Sequence, residues 1–209
     1  MKDSLAALAG ALLITHGSLA LAASAVDLSV KGAITPSACT PSLSDGGMVD
    51  YGKISFQDLN PTGVTELPKT FFKLAVNCEG RSLFGLAALD NRSTMASPGA
   101  SFVLGRISPT NWIGLYYLSM ENVITDDPAA YPIYSLDNGS SWVYNPDKRI
   151  PANTLGAFGN QTSGVTAPAP LTDVSLDLVV EPMILPRSQL PVGETIPLDG
   201  SATFELRYL

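Results

Sequence analysis

A chain of 209 residues with 45% hydrophobic and 15% charged side chains can bury one substantial core and is too apolar for disorder. Its 12 Lys and Arg against 19 Asp and Glu give a net charge of −7 with no basic cluster, which argues against nucleic-acid binding. The 18 Gly and 16 Pro predict many turns and an all-β fold.

The chain opens with Lys2 and a mostly Ala/Leu run over residues 5–21, broken by Thr15, His16, Gly17 and Ser18 and followed by small residues. This pattern predicts an export signal over residues 1–22, with an alternative cleavage after residue 25. No later stretch reaches the roughly 20 apolar residues of a membrane span. His16, the single histidine of the sequence, falls inside that signal, so the mature chain is expected to have none. Ser-His, Cys-His and His-metal chemistry then become unavailable, and no catalytic residue, metal site or cofactor is assigned. Export also predicts an oxidising compartment, in which Cys39 and Cys78 are expected to form one disulfide.

Val26, Leu28, Val30, Gly32 and Ile34 alternate with polar or small residues, the period-two pattern of a strand with one buried face, and Pro36 ends it. An imperfect alternation over residues 48–56, carried by Val49, Tyr51 and Ile54, predicts a second strand. Phe72, Leu74, Val76 and Cys78 mark a third. Residues 83–89, 101–107 and 113–120 read as further strands, with a turn-rich interval at 90–99. Strands over 131–136 and 141–144 flank Asp137-Asn138-Gly139-Ser140, which has hairpin-turn chemistry. Residues 145–172, rich in Pro, Gly, Asn and Thr, read as a long surface loop. Val174, Leu176, Leu178 and Val180 then alternate, and Ala202, Phe204, Leu206 and Tyr208 form one face of the last strand. Short strands at this spacing predict a β-sandwich.

With the cysteine spacing and the two patterned terminal strands, the chain resembles the chaperone–usher fimbrial (pilus) subunits of Gram-negative bacteria. Val30-Lys31-Gly32-Ala33-Ile34 resembles that family's donor segment, and Val49-Asp50-Tyr51-Gly52 the motif after the first cysteine. Residues 72–78 resemble the strand carrying the second cysteine, and residues 204–209, with penultimate Tyr208, the final strand. The resemblance implies an immunoglobulin-like β-sandwich over residues 37–209 that lacks its last strand. It also implies an N-terminal donor-strand extension over residues 26–36. The donor residues would be Val26, Leu28, Val30, Gly32 and Ile34, and Ala202, Phe204, Leu206 and Tyr208 would form the acceptor edge. The partners implied are other fimbrial subunits, a periplasmic chaperone and an outer-membrane usher. The location implied is the periplasm in transit, then the cell-surface fimbrium, with a role in adhesion and with host or surface glycans as further partners.

Ser135, Asp137, Gly139, Ser141 and Trp142 also resemble the Asp-box of sialidases and other β-propeller proteins. A single copy cannot build a propeller, and the motif reads as a stabilised hairpin. Trp112, Tyr116, Tyr117, Tyr131, Tyr134, Trp142 and Tyr144 crowd the middle of the chain, where core and cross-strand packing is the leading reading. They also carry the alternative function, a self-complete secreted carbohydrate-binding β-sandwich.

Overall fold

The computed structural model describes residues 28–32, 38–93, 101–108 and 111–209. The predicted export signal, Val26 and Ile34 lie outside them. The chain divides into a unit Met1–Thr35 and a unit Pro36–Leu209. In the first, Leu28 and Val30 are 89% and 88% exposed, and residues 28–32 form no strand.

The second unit is the β-sandwich. Its strands are β1 (Cys39–Leu43), β2 (Thr65–Glu66), β3 (Thr70–Ser82), β4 (Phe84–Asp90), β5 (Phe102–Arg106), β6 (Trp112–Thr125) and β7 (Tyr131–Ser135). They continue as β8 (Val143–Tyr144), β9 (Arg149–Ile150), β10 (Thr154–Thr162), β11 (Val165–Pro168), β12 (Leu171–Ile184) and β13 (Ala202–Tyr208). One sheet runs β1-β3-β12-β6-β5, with β2 beside β12 and β9 beside β6; the other runs β13-β4-β10-β7-β8, with β11 beside β10. Every pairing is antiparallel.

Alternation decides the layers. Phe72, Leu74 and Val76 of β3 lie in register with Leu178, Leu176 and Val174 of β12, and all six are buried. Phe84, Leu86, Ala88 and Phe158 belong to the same core from the other sheet. On the outer face of β3, starting from Lys69 just before it, residues four apart carry polar partners. Lys69 pairs with Glu181, Lys73 with Asp177, and Asn77 donates to Asp173 at 2.5 Å. The Asn122 amide and the Lys73 ammonium hold the Asp177 carboxyl below its ordinary range. Hydrogen bonding to Glu181 raises Lys69. A slip of one residue would turn this polar row inward, so it fixes the register.

Two sequence expectations need correction. Residues 48–56 form no strand. Gly52 takes φ +61, and its N–H donates to Asp50 Oδ1 at 2.7 Å, so the backbone turns locally instead of joining a ladder. Val49, Ile54 and Phe56 still pack against the core, and that burial produced the alternating pattern. Residues 145–172 are not a loop but hold β9, β10, β11 and the start of β12. Their glycines permit close approach: a Cβ at Gly159 would overlap the Ala167 carbonyl of the neighbouring strand.

Candidate functional site

Among the described residues, β13 pairs with β4 alone and β1 with β3 alone. Each is therefore the outer strand of its sheet, and the two meet at one end, where the Cys39 N–H donates to the Tyr208 hydroxyl at 2.8 Å. The Cys39–Cys78 disulfide is formed and ties the start of β1 to β3 at this end.

The direction of the backbone groups follows from the register. Leu209 N–H donates to Leu83 O at 3.0 Å, and Asn91 N–H donates to Ser201 O at 3.0 Å. In an antiparallel pair, residues bonded to the neighbour alternate with residues facing away. The odd positions of β13 thus bond to β4, and Ala202, Phe204, Leu206 and Tyr208 turn their N–H and C=O to the open side. The side chains of Ala202, Phe204 and Leu206 pack against the core yet stay only half-buried. Such an edge has a full row of donors and acceptors above incompletely covered apolar side chains, which is what an added strand needs. Ala202, Phe204, Leu206 and Tyr208, expected to form an acceptor edge, lie on β13, which among the described residues pairs with β4 alone.

A mostly apolar cavity lies between the sheets, lined by Leu74, Leu86, Met120, Leu176 and Phe204 among others.

The Asp-box residues come together as a turn. Ser135 Oγ donates to Asp137 Oδ1 at 2.7 Å and accepts from the Gly139 N–H at 2.7 Å. Ser141 donates to Asp137 twice, through its hydroxyl at 2.6 Å and its N–H at 2.8 Å. The Ser141 hydroxyl, with the Ser135 hydroxyl and the Ser141 N–H, lowers the Asp137 pKa to about 2. Gly139 adopts φ +95, and a Cβ there would lie 3.6 Å from the Trp142 ring and 3.8 Å from Leu209 Cδ2. The network satisfies the turn's own backbone, and the ring covers it.

Four of the central tyrosines are engaged with neighbours. Tyr116 is buried and stacks on Phe102 with centroids 5.2 Å apart, and burial raises its pKa. Arg149 lies 4.1 Å above the Tyr117 ring, and Tyr131 meets Tyr144 edge-on at 4.9 Å. Among the described residues, no group of three or more His, Cys, Asp or Glu is placed to hold a metal ion.

The alternation of residues did not reveal the bounds of β1, nor the Tyr208–Cys39 contact. Thr-Pro-Ser after Cys39 hid those bounds, although Pro at an outer position is compatible with an edge.

Comparison with known proteins gives a family, described as "Protein of unknown function (DUF1120)", that matches residues 28–108. Protein GltF of Escherichia coli (strain K12) is 26% identical over 225 residues, covering 88% of this chain and 88% of the relative. Uncharacterized protein YhcF of the same strain is 25% identical over 224 residues, covering 91% of this chain and 93% of the relative.

Proposed function

We propose that this chain is an exported structural subunit of a surface fimbria, joined to its neighbours by strand donation and having no catalytic activity. The observation that carries the reading is β13: an edge strand with Ala202, Phe204 and Leu206 half-buried at alternate inward positions and backbone groups turned to the open side. The second support is the alternating segment that includes Leu28 and Val30, both exposed and outside any strand. Burial of Val26, Leu28, Val30 and Ile34 on a neighbour would contribute on the order of 6–12 kcal/mol before entropy is subtracted. Gly32 would allow close approach to the groove.

On this reading an unfilled subunit exposes an aggregation-prone edge. A periplasmic chaperone would cover that edge first, an outer-membrane usher would take the subunit to the surface, and the next subunit would replace the chaperone. Adhesion then belongs to the assembled fibre.

The test uses residues 36–209, which contain the whole described core, and synthetic peptides of residues 26–34. The native peptide should raise the melting temperature, because a ligand that binds only the folded state stabilises it. Val30→Asp in the peptide should abolish most of that rise, since the groove would have to desolvate a carboxylate. Ser29→Asp, on the opposite face, should change it little. No rise with the native peptide, together with a full-length monomer that fills its own edge, would reject the proposal.

A further inference from the structure

The two flanks of the open side are chemically unequal. Glu79 N–H donates to Ala38 O at 3.0 Å, so residues 38, 40 and 42 face β3 and Cys39, Pro41 and Leu43 face the open side. The Cys39 amide is already given to the Tyr208 hydroxyl. Pro41 has no amide to give. That leaves Leu43, at the far end, as the one β1 residue with an amide facing the gap. β13 differs: Ala202, Phe204, Leu206 and Tyr208 all carry an N–H and a C=O toward it. Tyr208 also crosses the gap itself, since it belongs to β13 and its hydroxyl reaches β1.

From this we infer that Tyr208 is an end-stop, which closes the groove at the disulfide end and fixes where an incoming strand halts. Pro41 and the capped Cys39 amide leave β13 as the flank that supplies the ladder. The inference rests on the strand-addition reading and adds two positioning residues to it. An incoming strand would lie along residues 202–206. To travel further it would have to displace the phenol and uncover the Cys39 amide.

The experiment uses the full mature chain and the peptide of residues 26–34 carrying a photoreactive group in place of Val30. Cross-links are mapped by mass spectrometry, and backbone amide exchange is followed alongside. In the unmodified chain, label should fall on residues 202–206. In Tyr208→Ala it should spread to residues 207–209 and to β1. In Tyr208→Phe the ring still blocks the gap, so the label should stay in place. The Cys39 amide, now uncapped, should exchange at least about tenfold faster, the change expected from losing a hydrogen bond of about 1.4 kcal/mol. Labelling of the same residues in Tyr208→Ala and the unmodified chain would overturn the end-stop alone. Unchanged Cys39 exchange in Tyr208→Phe would overturn the amide cap, and this variant serves even if Tyr208→Ala does not fold. No labelling of the unmodified chain recovered as a monomer would overturn strand addition itself, and the end-stop with it.

Discussion

The outer strands of the seven-stranded sheet, β1 and β5, end it in opposite ways. Beside β5 the chain supplies its own cover. Asp199 N–H donates to Leu104 O at 3.0 Å, and a Cβ at Gly200 would lie 3.3 Å from Leu104 Cα. The strap is anchored by Arg92, whose Nε donates to Asp199 O at 2.7 Å and lies 3.3 Å from the Asp199 carboxylate. Asp90, buried at the end of β4, accepts from Val103 N–H at 2.9 Å and ties the two sheets together at the same place. Beside β1 and β13 no comparable strap is found among the described residues; one phenol bridges the two strands. Among the described residues, the chain thus covers one edge with its own backbone and leaves the other to a single phenol.

The comparison is broken most severely through the disulfide. Cys39→Ser should cost about 2–5 kcal/mol of stability, because β1 is a short edge strand held at that end by the bridge and the Tyr208 contact. Denaturant unfolding of the oxidised parent and the variant measures the loss. An equal midpoint in the two proteins would show that β1 is held by other means.

The covered edge gives a smaller effect. Asp199→Ala removes an exposed ion pair but keeps the strap's backbone hydrogen bond, so the expected loss is about 0–1 kcal/mol. Affinity for the peptide of residues 26–34 should change little, because the backbone hydrogen bond from Asp199 N–H to Leu104 O, which holds the strap where it runs into β13, is kept. Calorimetric titration of both proteins checks this. A second molecule of peptide bound by the variant would mean that the strap hides an equivalent acceptor.

The smallest effect is local and set by acid. Asp137 has a folded pKa of about 2, below the usual value of about 3.9. For a depressed carboxyl, the stabilising contribution is complete above the unfolded pKa and fades as pH falls through the folded one. The turn at residues 136–141 should therefore stay protected at pH 5 and loosen between about pH 4 and pH 2. Amide exchange of Gly139 and Ser141 across that range measures it. In Asp137→Asn the acid transition should vanish, and its persistence would assign the loosening to another group.

Much of this was legible in the sequence because it depends on alternation and inventory. Phe72, Leu74, Val76 and Cys78 betrayed β3 because one of its faces is buried and the other wet. Ala202, Phe204, Leu206 and Tyr208 did the same for β13. The Cys39–Cys78 pairing needed only an even count and an oxidising compartment. What stayed hidden was β10, although its neighbour β4 was read as a strand over residues 83–89. Gly156, Ala157 and Gly159 build β10 from residues that look like turn or loop formers. Their fitness for a strand comes from close neighbours: a Cβ at Gly85 would stand 2.9 Å from the Gly156 carbonyl. The chemistry of the two flanks was hidden for another reason, since which amides face outward depends on register, and register is a property of pairs.

Pro41 also bears on the geometry of growth. Two β1 edges brought together antiparallel would have to zip through amides that Pro41 lacks and that Cys39 has already committed. A unit with two adhesive edges builds sheets and tangles. With one of them silenced, a unit that assembles as proposed would have a valence of one for strands that arrive and one for the strand it sends out, and would grow in a line.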